Sequence, residues 1–205
     1  MATRFIPGVA LAALFLLSAG GSAFGADPDA VAPQAPATAF DEARARTAML
    51  DALFGQLAKA KSAGEAQSVE TAIFEIWMRS GSPSIDLLMG RGLDAVAGKD
   101  YDRALFYFDE VVALDPGFVE GWDKRAAVHL LKNDYASALK DIEHVLTLEP
   151  RHFSALGGLA IILQDLGDKK GALDLYRRAL KIDPWLPGAG QAERSLSIDV
   201  EGRGI

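Results

Sequence analysis

A chain of 205 residues that is 50% apolar holds enough hydrophobic material for one packed core and shows no compositional sign of wholesale disorder. What is missing excludes whole classes of function. With no cysteine there is no thiolate chemistry, no disulfide and no cysteine-linked lipid anchor, and a net charge of −7 without a basic stripe leaves nothing to neutralise the phosphates of a nucleic acid.

Residues 1–25 read as a secretory signal peptide: Arg4 gives a small positive start, residues 9–17 an apolar stretch, and Ala23-Phe24-Gly25 a small-x-small cleavage site. The apolar stretch is short for a membrane span. Cleavage after Gly25 leaves no membrane span and a mature chain at net charge −8. Without a single cysteine such an exported chain is expected in the periplasm. Residues 26–39, with Pro28, Pro33 and Pro36 among alanines, read as an extended linker.

Residues 40–83 read as a helical pair. Thr38 and Asp41 suggest a capped start, Met49, Leu50, Leu53, Phe54 and Leu57 form one apolar face, and Gly64 is expected to end the first helix. The second, over residues 65–79, carries Val69, Ala72, Ile73, Ile76 and Trp77.

From residue 85 to residue 184 one pattern is written three times at an interval of 34 residues, giving units 85–118, 119–152 and 153–184. Leu114-Asp115-Pro116, Leu148-Glu149-Pro150 and Ile182-Asp183-Pro184 fall in register, as do the helix stops Lys99, Asn133 and Gly167. Each unit predicts two helices of about 14 residues closed by a proline that cannot continue one. The small Ala104, Ala138 and Ala172 let the two helices approach, and Phe108, Ile142 and Tyr176 fill the space beside them. Residues 185–205 predict a capping helix, with Ala189, Ala192 and Leu196 inward, and a frayed tail from Glu201.

This pattern resembles the tetratricopeptide repeat family. The matching residues are Leu88, Trp122 and Leu156 early in the first helix, then Gly92, Ala126 and Ala160, the alanines and large residues just named, and Pro116, Pro150 and Pro184. Arg91 and Arg125 depart from it, standing where the family has leucine; their stems snorkel out or pair with an acid of a neighbouring helix, or they reach the groove and bind an anion. The resemblance implies an all-α solenoid, and residues 41–83 read as a degenerate repeat that covers the end of the stack. In organisation and in residues 200–205 the chain is also similar to short exported repeat proteins of alphaproteobacteria.

No enzyme constellation is legible. His129, His144 and His152 lack the spacing of a metal helix; no metal and no cofactor is expected. Gly90-Arg91-Gly92-Leu93-Asp94-Ala95 mimics a dinucleotide fingerprint but lies inside a predicted helix, where its first two glycines suit close packing. By the resemblance, a protein or peptide partner lies along a concave groove lined by Met89, Leu93 and Val96, by Asp123, Ala127 and Leu130, and by Ile161 and Gln164. Glu120 belongs to the same acidic-edged groove. The basic clamp with which some of these domains hold a terminal carboxylate is missing, since its positions are Met89, Asp123 and Gly157. The expected function is a periplasmic adaptor or scaffold, with self-association as a homo-oligomer, or a place as an accessory subunit of an envelope assembly complex, as the alternatives.

Overall fold

Apolar residues returning every three to four positions favour helices throughout, and the computed structural model, which describes residues 37–202, contains nine helices and no strand among them. They are α1 (Ala37–Leu57), α2 (Ala63–Trp77), α3 (Pro83–Ala97), α4 (Tyr101–Leu114), α5 (Val119–Leu131), α6 (Tyr135–Leu148), α7 (Phe153–Asp165), α8 (Lys169–Ile182) and α9 (Ala189–Glu201). From α3 onward each helix packs on the next. The fold is an all-α solenoid of helix-turn-helix repeats. The signal-like residues 1–25 and linker residues 26–36 lie outside the described residues, as do residues 203–205.

The repeats owe their sharp turns to two local devices. Lys99, Asn133 and Gly167 adopt φ of 60°, 57° and 87°, the left-handed conformation that stops a helix. The aspartate that follows each then caps the next helix, accepting from the backbone N–H of Arg103, Ser137 and Gly171. At the other end Asp115, Glu149 and Asp183 each accept from the N–H two residues on, at 2.9, 3.1 and 2.9 Å. The proline between has no N–H to offer, so the helix stops there.

Packing follows the register. Ala104, Ala138 and Ala172 are wholly buried, beside Phe108, Ile142 and Tyr176. Gly92 stands where the later units have Ala126 and Ala160, because the Phe108 ring already fills the space of a methyl there. Gly92→Ala is therefore expected to lose about 1–3 kcal/mol to overpacking against a helix-propensity gain of about 1 kcal/mol. A lowered denaturation midpoint that is restored by adding Phe108→Leu would confirm it; an unchanged midpoint would contradict it. Gly90, by contrast, has open space around it and packs against nothing.

Several boundaries differ from the sequence reading. Residues 37–39 belong to α1, so Thr38 is not its cap; alanine there is the best of helix formers. Gly64 lies inside α2, not at the end of α1. Ser62 caps α2 by accepting from Glu65 N–H, and Glu65 Oε2 accepts in return from Lys61 N–H at 2.9 Å, a reciprocal cap that outweighs one glycine. Glu201 is not frayed: Arg177 donates to it at 2.6 and 2.8 Å and to Glu193 at 3.1 Å, pinning α9 to α8.

The larger correction concerns α1 and α2, which do not cover the α3–α4 end of the stack. Leu87 remains 56% exposed on that end, although Gly121, its equivalent 34 residues later, packs against Val111. The reason is written at two register positions. Trp77 stands where the stacked units have Val111, Val145 and Ala179, and Glu70 where they have the buried Ala104, Ala138 and Ala172. A tryptophan and a carboxyl do not fit those slots. The pair instead packs Leu50, Phe54, Leu57, Ala66, Ile73 and Trp77 against Phe153, Ile182 and Leu186, and Trp185 Nε1 donates to Ala60 O at 2.9 Å.

Candidate protein-binding face

The first helices of the three repeats, α3, α5 and α7, carry the residues assigned to the groove, and the structure divides them into two sets. At the ninth position of the units stand Leu93, Ala127 and Ile161, all exposed, Leu93 by 36% and Ile161 by 48%. Gln164 is exposed beside this row. Burial of apolar surface drives association, and a register-spaced row of exposed apolar side chains is a surface suited to it.

The other set is closed. Met89 is buried in a cluster with Ile85 and Phe108 against which Met78 packs, so it lines no open surface. Val96 joins the same cluster, and Leu130 packs on the neighbouring cluster of Ala126, Ile142 and Ile162. Their apolar surface is spent on the core rather than offered to a partner.

Asp123 is also not a groove residue. It belongs to a polar cluster beneath α2, with Glu120, Lys124 and His152. Lys124 Nζ lies 2.7 Å from Glu120 Oε2 and 2.8 Å from Asp123 Oδ2, and also approaches the Phe74 ring at 5.6 Å. His152 Nε2 lies 3.2 Å from Glu120 Oε1, its Nδ1 accepts from Ala155 N–H, and its ring stacks on Trp77 with centroids 4.2 Å apart. Burial alone would raise the Asp123 carboxyl, but His152 and Lys124 outweigh it and hold it below the usual carboxylate range. Lys124 is likewise disfavoured by burial, yet Asp123 and Glu120 push its ammonium above an ordinary lysine.

Glu120, Asp123 and His152 offer ligand atoms within 4.8 Å of one another, a spacing that suits a metal ion. The ammonium of Lys124 already sits between the two carboxylates. The cluster is a lysine-bridged, hydrogen-bonded seat for α2. Sequence reasoning passed over it, although Glu120 and Lys124 at i, i+4 and a histidine opening α7 were legible as a pair and a cap.

Arg125 resolves toward structure. It donates to Asp141 Oδ1 at 2.6 Å, to Asp141 Oδ2 at 2.8 Å and to Asp109 at 2.8 Å, tying α5 to α4 and α6. Its repeat equivalent Arg91 is exposed on the open end of the stack, beside Asp94, Arg103 and Tyr107. His129 is half-buried between Asp134 and Asp141, and His144 stacks on Trp122. The Gly90–Ala95 motif lies within α3, and the element directly before that helix is α2 rather than a strand.

Fold and face together define a helical-repeat solenoid. The tetratricopeptide repeat profile matches residues 124–186. A TPR repeat-containing protein of Rhizobium etli is 40% identical over 135 residues, 66% of this chain and 66% of its own. Small glutamine-rich tetratricopeptide repeat-containing protein 2 of Saccharomyces cerevisiae is 29% identical over 58% of this chain and 34% of its own. The matched stretch thus spans just under two thirds of the first relative and about a third of the second. Among solved structures, the first TPR domain of Spaghetti (RPAP3), bound to the HSP90 peptide SRMEEVD, superposes with a TM-score of 0.56 at 20% identity, covering 58% of this chain and 95% of that one. Residues 124–186 match tetratricopeptide repeats, and the chain is similar to proteins that carry them. No helix among the described residues is long and apolar enough to cross a membrane.

Proposed function

We propose that the chain is a non-enzymatic adaptor that holds an apolar segment of another protein along Leu93, Ala127 and Ile161. The observation that carries this reading is their common register position and common exposure on three successive first helices. A solved relative in fold binds a peptide ending in acidic residues. The segment expected here differs, because the clamp positions are the buried Met89, the lysine-paired Asp123 and Gly157, none of which offers a cation to a carboxylate.

The reading includes export to the periplasm and membership of the exported alphaproteobacterial type. Its support is the signal-like residues 1–25, the lack of cysteine and the relative in Rhizobium etli. Fractionation that leaves the protein in the cytoplasm would remove this part alone.

The face is tested by the double variant Leu93→Asp and Ile161→Asp. Both side chains are exposed, so stability should change by no more than about 0.5 kcal/mol each. Charge on the row is expected to weaken co-purification of the partner at least about tenfold, since burying an unpaired carboxylate is costly. A folded double variant that keeps its partner would sink the reading. Self-association remains the second reading, favoured by Leu87 exposed on the unstacked α3–α4 end; sedimentation of a monomer at all concentrations would dismiss it.

A further inference from the structure

The α3–α4 end of the stack, left uncovered by α1 and α2, is not shaped for a further repeat. In the stacked units the third and tenth positions of the first helix lie against the second helix of the unit before. At the third, a Cβ on Gly121 would stand 2.6 Å from Val111 Cγ1; at the tenth, Val128 and Ile162 are buried in clusters with Val111 and Val145. α3 has Leu87 and Asp94 at those positions, both exposed. Overpacking at the one and burial of a carboxylate at the other exclude a repeat helix from this end.

Leu87, Arg91, Asp94 and Gly98 instead form one stripe at i, i+4, i+7 and i+11, and all four are exposed. Arg125, the repeat equivalent of Arg91, is held by Asp109 and Asp141, whereas among the described residues Arg91 and Asp94 form no ion pair. Beside the stripe lies a concavity of about 580 Å³, ample for a leucine side chain, lined in part by Ala95, Gly98 and Tyr107. Its charges, Arg91 and Arg103 against Asp94 and Asp100, cancel in a chain of net charge −7. Two copies therefore meet here without the repulsion that the rest of the surface carries.

We propose that this end is the contact of a two-fold dimer, in which α3 packs antiparallel on α3 of a second copy. The stripe is self-complementary under that operation. Setting Arg91 opposite Asp94 of the second copy sets Asp94 opposite its Arg91, and Leu87 opposite its Gly98, at the concavity. Gly98 brings no side chain to hold the helices apart, and neither does Gly90, which has open space around it. This contact rests on the self-association reading and gives it a surface. It leaves the adaptor row free, since Leu93 stands about 120° round the helix from Leu87.

Sedimentation equilibrium of the full chain, with no partner present, from about 1 μM to about 1 mM covers the range of so small an interface. The parent is expected to pass from monomer to dimer and no further, because a two-fold contact closes on itself. Arg91→Glu and Asp94→Arg each set like charges together at both ends of the contact, and each should weaken the dimer at least about tenfold. Mixed one to one, the two variants should form a heterodimer within about threefold of the parent's affinity, because one is acidic and the other basic at both positions. Leu87→Ala should cost about tenfold, and Glu75→Lys, on the exposed side of α2, should cost nothing. A parent that is monomeric throughout would remove this contact and the self-association reading together. Association that persists in both charge variants, that Glu75→Lys weakens as much, or that the mixture fails to recover would overturn the contact alone.

Discussion

Replacing Trp77 by alanine is expected to cost about 3–5 kcal/mol, the range for truncating a buried aromatic. Trp77 is 2% exposed and sits at the meeting point of α1, α2 and the repeats. Its ring stacks on His152 at 4.2 Å and contacts Phe54, Phe74 and Phe153 with centroids 5.9, 5.5 and 5.7 Å away. Each aromatic contact adds about 0.5–1.5 kcal/mol beyond area burial. Truncation also wets His152 and Glu120, whose hydrogen bond is sheltered by the ring. Urea denaturation should show the loss, with α1 and α2 released before the three repeats. If α1 and α2 stacked as an ordinary first repeat, the cost would be nearer that of a valine-sized contact, about 1.5 kcal/mol. A loss that small would contradict the seat described here.

Lys124→Met should rank beside it. Removing one partner of a buried ion pair typically costs about 3–5 kcal/mol, because the charge left behind has nothing to match it. Here two carboxylates are left. Glu120 is wholly buried and its Oε2 is matched only by this ion pair, while Asp123 loses its nearest cation. Without Lys124 burial pushes the Asp123 carboxyl upward, opposed only by His152. The variant should therefore recover part of its stability in mild acid and lose it again as pH rises. Melting curves across pH 5–8 check this, with Lys124→Arg as the charge-keeping control. A methionine variant as stable as the parent at neutral pH would mean that Lys124 does not bridge the two carboxylates as drawn.

Much of the fold was legible because the repeat writes its geometry in residues with few alternatives. Lys99, Asn133 and Gly167 with the aspartates after them, the acid-proline turns, and the small residues at positions 104, 138 and 172 each admit one local solution. Copying them at a fixed interval made the stack unambiguous. Even the Gly92 and Phe108 pair is a consistent exchange of volume with Ala126 and Ile142. The N-terminal pair was harder. Its helices are plain in the hydrophobic spacing, but where they sit depends on long-range fits that spacing does not encode. Glu70 and Trp77 at positions that demand alanine and valine were the available signal that the pair does not stack.

The candidate face was half legible for the same reason. The family resemblance assigns positions of α3, α5 and α7 to a groove, and of these Leu93, Ala127 and Ile161 are exposed in the structure. Register cannot say that another part of the chain occupies Met89 and Asp123. Nor does it distinguish a groove leucine from one that fills its own core, as Leu130 does against Ala126 and Ile142.

The adaptor reading rises or falls on what touches Ile161 in the cell. A photoreactive residue placed there, with a second at the exposed Glu143 on α6 as control, should be crosslinked and the products identified by mass spectrometry. The expected result is one foreign protein, caught through a defined apolar segment at position 161 but not at 143, and lost when Leu93→Asp is added. Crosslinks confined to the chain itself, or the same capture at both positions, would contradict it.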